Sequence, residues 1–544
     1  MIKEKIYKKI KNALKSLDIV KSNVIIQDPR NQQDVDYATN IAMLLSKELK
    51  KPPIDIASNI VNKIKSQDDG FFDDVSIAGP GFINFKVSAN EYLKNISLIV
   101  DRGSKYGRSE IGKGKNALIE FVSANPTGPL TIGHGRGAII GEFASTILAW
   151  NGYKVEREYY FNNAGRQMRV LAESVYARYQ DILNQEASFP EDGYKGEYIY
   201  DIAENLKNTY SDQYANSNNQ NFIKDYSEKI IFEQIKETLK KIGIIFDNFF
   251  NENQLYKNKE IYKVVDSLRE KKLIYEKEGA TWLKATELGL NQDRVLIKSS
   301  GEPTYRLPDI AYHKNKFERN YDIIVDVFGA DHLDAYPDVL GACEALGYDS
   351  SKVRVLVHQF VTVQENGKPI KMSTRKANFI SLDDLIDEVG SDVVKYFFAM
   401  RGMNSHLNFD LGLAKDESDQ NPVFYIQYAY ARAINILKKA NDDGLSLEES
   451  FDYSLLNSKE EILLTKSLLI FPDLIKKAGD SMEPQLIANY LMEIASNFHH
   501  YYAKHKVITD RKDLSIARLN LINAVRQVLY NGLSILNIST PKKM

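Results

Sequence analysis

Two hydrophobic periods alternate along the chain. In MIKEKIYKKIKNALKSL the apolar positions Ile6, Ile10, Leu14 and Leu17 fall on one helical face and lysines fill the other, which predicts an amphipathic helix over 2–17. A second helical pattern covers 38–50, and short β-like runs follow at Val75–Ile77 and Phe82–Phe85. The segment 101–116, DRGSKYGRSEIGKGKN, is rich in glycine and basic residues and predicts a linker. Residues 1–105 therefore read as an α/β module of their own.

From there the pattern changes to strand–loop–helix. Leu118–Val122 is a short apolar strand; the loop Ser123–Thr131 holds Pro126, Gly128 and Pro129. A helix is predicted from Ile132 to Trp150, with Ile139, Phe143 and Ile147 on one face and Ile140, Ala144 and Leu148 beside them. Asn151-Gly152 stops it, and a second strand runs over Lys154–Phe161. Strand–helix alternation returns at 321–346 and 353–363. This is the pattern of a doubly wound, mostly parallel sheet, so residues 106–390 predict a Rossmann-type nucleotide-binding domain. A long helical stretch at about 165–285 reads as an insertion into it, with the polar run 211–221 as a surface loop. Beyond Gly390 nearly all of the pattern is helical: Ser458 with Glu461 suits a capping box, Pro484 suits a first turn, and Ile487, Leu491, Ile494, Ala495 and Phe498 keep helical spacing. Residues 391–544 predict an all-α bundle.

Composition changes this picture in three respects. At ~150 residues per domain, 544 residues suggest three or four domains. No apolar run approaches the ~20 residues that span a bilayer, and the N-terminus lacks the apolar centre of a secretory signal, so no membrane partner is expected. The single cysteine, Cys343, excludes an intramolecular disulfide and a zinc site built on two cysteines, and fits a reducing, cytoplasmic location. In its setting, GACEALG, Cys343 predicts a small core residue rather than a nucleophile. A net charge of −2 lends no support to nucleic-acid binding, although a local groove can be basic on a neutral protein.

Two segments carry candidate chemistry. Gly133, Gly135 and Gly137 fall in the first turns of the helix that begins at Ile132, where each is about 1 kcal/mol worse than alanine. A close approach to the backbone explains them: a helix N-terminus offers free N–H groups and a positive dipole end to a phosphate, with His134 and Arg136 as added donors. The alternative is glycine needed for tight packing on the sheet. There is no GxxxxGKS/T loop, so this is not the P-loop mode of binding ATP. The second segment, GKPIKMSTRKANFISL (367–382), gathers Lys368, Lys371, Arg375 and Lys376, either as a solvated basic turn or as a cationic loop that closes over a polyphosphate.

Together TIGH (131–134) and KMSTR (371–375) resemble the HIGH and KMSKS signatures of class I aminoacyl-tRNA synthetases, in the same order and with an insertion between them. A longer resemblance, to bacterial arginyl-tRNA synthetases, is carried by EFVSANPTGPL (120–130), EYYFNNAGRQ (158–167), PTYRLPDIAYH (303–313), FGADHLDAYP (328–337), DYATNIA (36–42), GPGFINF (79–85) and NPVFYIQYAYAR (421–432), and by the terminal Met544. It spans essentially the whole chain. The resemblance implies ATP as substrate with Mg²⁺, L-arginine and tRNA(Arg) as partners, no resident metal, and a monomer. It implies an ATP site of Thr131, Gly133, His134, Gly135, Asp331, His332, Lys371, Met372, Ser373 and Lys376, with His134, Lys371 and Arg375 catalytic. It places the guanidinium at Tyr305 and Asp309 and the α-amino end at Glu120 and Asn125, with Ser123 and Asp331 in the same arginine pocket. It gives tRNA contacts to Asn84 in a module touching the tRNA elbow, and to Tyr428, Arg432 and Met544 in an anticodon-binding domain.

Physical chemistry agrees with the arginine reading. A guanidinium presents five donors and no acceptor, so its pocket needs carboxylates and carbonyls, and such a pocket rejects lysine. Tyr305 and Asp309, four residues apart, would share a cavity on one helical turn. The aromatic stripe Phe424, Tyr425, Tyr428 and Tyr430 is mostly core at helical spacing, leaving one or two side chains for RNA. Adjacent His499 and His500 would point apart on a helix, against a metal site. Two positions depart from the family pattern: Thr131 stands where the first signature histidine stabilises phosphate charge, and Thr374 where many class I enzymes have a second lysine. The alternatives are a glutamyl- or glutaminyl-type synthetase, whose pocket would be cationic, a small-molecule nucleotidyltransferase of the same fold, which would not need residues 415–544, and a non-catalytic relative, for which Thr131 is the hint.

Overall fold

In a computed structural model, the structure describes residues 2–19, 23–28, 35–215, 219–330, 333–365, 367–370, 380–447 and 451–544. They form two units: Met1–Tyr106 with Ala429–Phe471 and Ile494–Leu529, and Gly107–Tyr428 with Pro472–Glu493 and Tyr530–Met544.

The first unit starts with α1 (Ile2–Ser16), β1 (Tyr37–Thr39), α2 (Ile41–Leu49), α3 (Pro53–Ser66), β2 (Phe72–Ala78) and β3 (Phe82–Val87), followed by the short helices α4 (Ala89–Leu93) and α5 (Ile96–Arg102). The strands form an antiparallel sheet of order β1-β3-β2. Ile6, Ile10 and Leu14 of α1 bury against Ile41, Ile60, Val75 and Phe85, the apolar face predicted from spacing. The helical pattern at 38–50 starts late, at Ile41, because Tyr37–Thr39 pairs with Ile83–Phe85 as strand. The predicted linker 101–116 is only partly one. Tyr106 is fully buried, its ring stacks on Phe471 and its hydroxyl donates to the Leu468 carbonyl at 3.2 Å. The helical region beyond Gly390 is present as Pro422–Asp442, Lys459–Leu469, Phe471–Ser481, Gln485–Lys504 and Lys512–Ile535, and the two units share it between them. The capping box forms: the Glu461 N–H donates to Ser458 Oγ at 3.2 Å and the Ser458 N–H to Glu461 Oε2 at 3.0 Å.

The second unit begins with β4 (Asn116–Glu120), α6 (Ile132–Trp150) and β5 (Lys154–Phe161), at the bounds predicted for α6 and β5. Next come α7 (Gly165–Ile182), α8 (Glu197–Tyr210), α9 (Gln220–Lys241), β6 (Asn248–Asn251), α10 (Asn253–Lys257) and α11 (Glu260–Glu270). An antiparallel sheet of β7 (Ile274–Lys277), β8 (Ala280–Leu283) and β9 (Arg294–Ile297) precedes α12 (Arg306–Glu318), β10 (Ile323–Gly329), α13 (Tyr336–Leu346) and β11 (Val353–His358). The main sheet is parallel throughout, in the order β11-β10-β4-β5-β6.

Two boundaries differ from the sequence reading. The stretch 165–285 is not one helical insertion, because Asn248–Asn251 joins the main sheet beside Glu158–Phe161. Four residues with the pattern NFFN carry no β-branched signal, so only the neighbouring strand reveals them. The polar run 211–221 is clasped on both sides by rings, Tyr214 stacking on Phe222 with centroids 3.7 Å apart; residues 216–218 lie outside the described residues. The run 353–363 is two strands. β11 ends at His358, and β12 (Val361–Glu365) belongs to another sheet with β13 (Lys368–Pro369) and β14 (Leu407–Asp410).

Candidate active site

In the main sheet the strand order reverses between β4 and β10, and ligands bind at the carboxyl ends of strands at such a switch point. A cavity of about 450 Å³ opens there. Its walls come from the end of β4 (Glu120, Val122, Ser123), the start of α6 (Thr131, Gly133, His134, Gly137), the end of β10 (Val327, Phe328, Gly329, Ala330), the β11–β12 crossover (His358, Gln359, Phe360), and α12 with β5 (Asp309, Tyr312, His313, Tyr160). The backbone at its edge is strained. Val122 and Ser123 have φ of 68° and 45°, and a β-branched residue in the left-handed region is a genuine outlier of the kind that collects at functional sites.

On one side stands the α6 start. Thr131 is its N-cap. The His134 N–H donates to Thr131 Oγ1 at 3.4 Å, and the Thr131 N–H donates to His134 Nδ1 at 3.1 Å. A backbone N–H can only donate, so Nδ1 accepts and the other ring nitrogen, Nε2, carries the proton. Threonine at the departing position thus caps the helix and sets the tautomer of the histidine behind it. The three glycines divide between both readings of them. A Cβ on Gly133 would meet only Thr131 Oγ1, at 3.6 Å, so its face is open to the cavity. A Cβ on Gly135 would lie 2.6 Å from Leu382 Cδ1, so Gly135 packs against the protein and does not line the cavity. A Cβ on Gly137 would lie 3.0 Å from His358 Nε2. Arg136 is not an anion donor here. It is fully buried, and its guanidinium donates to the carbonyls of Gln359 (2.8 Å), Gly402 (2.9 Å) and Phe360 (3.4 Å), clamping the break between β11 and β12.

Lys371, Met372, Ser373, Thr374, Arg375 and Lys376 lie outside the described residues, as do Asp331 and His332. The flanks of 371–379 are described. The β12–β13 hairpin leads in, and Ser381 forms a bridge with Thr131 while the Leu382 N–H donates to the Leu130 carbonyl at 2.8 Å. The chain leaving the second signature therefore returns to the cap residue of the first.

The opposite side is acidic. Burial, with Glu120 and Glu252 nearby, outweighs His313 and Lys316 and pushes the Asp309 carboxyl up to about 7. Glu120 is buried, with Oε2 at 2.5 Å from Lys316 Nζ and Oε1 accepting from Ser123 Oγ at 2.8 Å. His313 reaches the Asp309 carbonyl through Nδ1 and Asp326 Oδ2 through Nε2, both at 2.9 Å. Tyr160 donates to Glu252 at 2.6 Å, and its ring packs against Tyr312, whose hydroxyl donates to Glu158 at 2.6 Å. Such a wall is rich in acceptors and suits a cationic guest.

Thus Glu120, Ser123, Asp309, Thr131, Gly133 and His134 share one cavity, and two expected partners do not. Tyr305 precedes α12 and is 61% exposed, under the Arg306 guanidinium rather than beside Asp309; as the cap it stands outside the helical turn that would have aligned the pair. Asn125 binds Gln167 and the Asn162 N–H, each at 3.1 Å, away from the cavity lining. Asn84 is buried in the central strand of the N-terminal sheet, where Ala38 and Ser76 flank it in register, and is poorly placed to reach a tRNA. Tyr428 and Met544 are exposed while Tyr430 is buried, as helical spacing suggested. Arg432 meets His499 Nδ1 at 2.9 Å and lies over the Tyr502 ring, so His499 is engaged apart from exposed His500. Cys343 is core, and burial pushes its thiol up to about 12. His358, Gln359, Phe360, Tyr160 and His313 line the cavity without having been singled out as site residues. The spacing of His313 four residues after Asp309 was an available signal; the crossover residues carried none.

Comparison with known proteins agrees along the whole length. Three family models match: the arginyl tRNA synthetase N terminal domain at 4–87, the class I (R) tRNA synthetase catalytic domain at 95–396, and the DALR anticodon binding domain at 426–544. An arginine–tRNA ligase of Desulfotalea psychrophila is 48% identical over 95% of this chain and 94% of its own. One of Chlorobium phaeobacteroides is 46% identical over 100% of both. The Thermus thermophilus arginyl-tRNA synthetase structure shares the fold, with a TM-score of 0.78 at 20% identity over 100% of both chains. By these matches in every segment, the chain belongs to the arginyl-tRNA synthetase family.

Proposed function

We infer that this chain is an arginine–tRNA ligase, which activates L-arginine with ATP to arginyl-adenylate and transfers the arginyl group to the 3′ end of tRNA(Arg). The observation that carries the reading is the cavity itself: an acidic, acceptor-lined wall at Asp309 and Glu120 facing a capped helix start with an open glycine at Gly133. A glutamyl-type pocket would reverse the sign of that wall.

In this reading the guanidinium meets Asp309 and the α-amino group meets Glu120. The arginine carboxylate attacks the α-phosphorus of ATP in line, forming the mixed anhydride, and pyrophosphate leaves with the electron pair. The α6 start and the Nε2–H of His134 receive the phosphate charge, and Lys371, Arg375 and Lys376 complete the cradle. A terminal ribose hydroxyl of the tRNA then attacks the activated carbonyl and AMP leaves. Among the described residues no group of three or more histidine, cysteine or acidic side chains is gathered for a metal ion. Mg²⁺ would therefore arrive on the phosphates of ATP, where it neutralises their charge. The reading includes a cytoplasmic monomer, with residues 1–105 at the tRNA elbow and 391–544 at the anticodon through Tyr428, Arg432 and Met544; no helix among the described residues is long and apolar enough to cross a membrane.

ATP–pyrophosphate exchange with each amino acid, with and without tRNA, tests it. Exchange with arginine in the presence of tRNA is expected. Exchange with another amino acid would overturn the substrate, and none under any condition would overturn the activity.

A further inference from the structure

Beneath the cavity floor lies a cation that no signature accounts for. Lys316, on α12, is fully buried. Its Nζ lies 2.5 Å from Glu120 Oε2 and 2.6 Å from Asp326 Oδ1, above the Tyr312 ring at 4.3 Å from the centroid. Glu120 and Asp326 are directly opposite each other on the adjacent strands β4 and β10, an arrangement of like charges that is unfavourable without a cation between them.

Geometry distinguishes Lys316 from an ordinary fold pin. It holds only one oxygen of Glu120; the other accepts from Ser123 Oγ at 2.8 Å, on backbone in the left-handed region. With a fixed partner on each oxygen, the carboxylate of this wall residue has a set orientation. Asp326 is held likewise, by Lys316 and by His313 Nε2 at 2.9 Å, and His313 continues to the Asp309 carbonyl. One buried chain of contacts thus joins the two acidic positions of the wall, with Lys316 at its centre. Two carboxylates sharing one ammonium leave one net negative charge for an incoming cation.

We propose that Lys316 is a positioning residue for amino-acid recognition, aiming the Glu120 carboxylate at the α-amino group of the bound substrate through an ion pair that Asp326 balances. The proposal rests on the reading of the cavity as an arginine site. A structural pin would support both ends of the ligand equally, whereas a positioning residue supports one.

The test compares arginine with argininic acid, which has a hydroxyl in place of the α-amino group, in the full chain with ATP and tRNA. In Lys316→Met the KM for arginine in pyrophosphate exchange is expected to rise about tenfold or more, the weight of one charge-assisted hydrogen bond, while the inhibition constant of argininic acid stays within about twofold. Lys316→Arg, which keeps the charge, is expected to recover most of the loss. If Lys316→Met does not fold, the charge-balanced double variant Lys316→Met with Asp326→Asn carries the same comparison. Equal weakening of both ligands, an unchanged KM for arginine, or failure of all three variants to fold would overturn the proposal. A wild-type chain that does not exchange arginine would instead sink the reading beneath it.

Discussion

Asp309 combines a half-buried setting with a carboxyl pushed up to about 7 from 3.8, burial being the main cause and His313 and Lys316 a partial relief. A guanidinium binds the ionised form. Below about 7 the site holds a proton that arginine must displace, so affinity is expected to rise with pH up to about 7 and flatten above it, with at most one proton released per arginine. Calorimetry in buffers of different ionisation enthalpy reads that proton directly; an affinity independent of pH from about 5 to 7 would contradict the assignment. Stability carries the opposite sign. A carboxyl raised in the folded state stabilises fully below its unfolded value and loses that contribution as pH rises through about 7, so ligand-free Asp309→Asn should gain thermal stability over wild type at alkaline pH and not near pH 4. The same variant should weaken arginine binding by about 2–5 kcal/mol. Thr131→Ala should lower stability by about 1 kcal/mol through loss of the helix cap, with Thr131→Ser close to wild type in chemical denaturation. The departure at Thr131 is legible only with both of its bonds to His134 in view; the sequence shows a missing histidine, and the structure shows what replaced its helix-start role.

Helix α6 shows how one element serves two masters. Its glycines look alike in sequence and differ in their neighbours. A Cβ on Gly141 would lie 2.1 Å from Phe121 Cγ, and Phe121 is itself fully buried against Phe246. Gly141→Ala should therefore destabilise by about 1–3 kcal/mol in denaturant unfolding. Gly133→Ala has room and gains up to about 1 kcal/mol of helix propensity, so it should fold as well as wild type; its methyl group would stand at the cavity wall and raise the KM for ATP. Opposite outcomes for the two would separate packing glycine from binding glycine, and equal stability losses would contradict the distinction. Hydrophobic spacing placed α6, β5 and the apolar face of α1 closely because each has enough residues to show its period. It missed β6 and ran β11 into β12, since four polar-aromatic residues and a two-residue break have no period of their own.

Across the second unit, Arg136 joins positions more than two hundred residues apart in the chain: the phosphate-side helix, the Gln359–Phe360 crossover that floors the cavity, and the turn at Gly402. Arg136→Met would leave three carbonyls without their donor and should destabilise the chain by about 3 kcal/mol or more, lowering the thermal midpoint, with the KM for ATP rising in whatever remains folded. A midpoint unchanged from wild type would show the clamp to be dispensable. Arg136 also marks where reading by sequence ends. By itself the sequence determined the doubly wound sheet, the helical C-terminal region, the two signatures and their order, and, through resemblance along the chain, the family; these depend on local period, on motif and on residue identity. Only the tertiary structure decided that Arg136 holds backbone instead of phosphate, that Gly135 packs while Gly133 faces the cavity, that Tyr305 points to solvent, and that Lys316 sits between Glu120 and Asp326. The physical reason is common to all four. A side chain's partner is set by what distant segments bring within about 3 Å of it, and in a sheet whose neighbouring strands lie two hundred residues apart no local pattern carries that information.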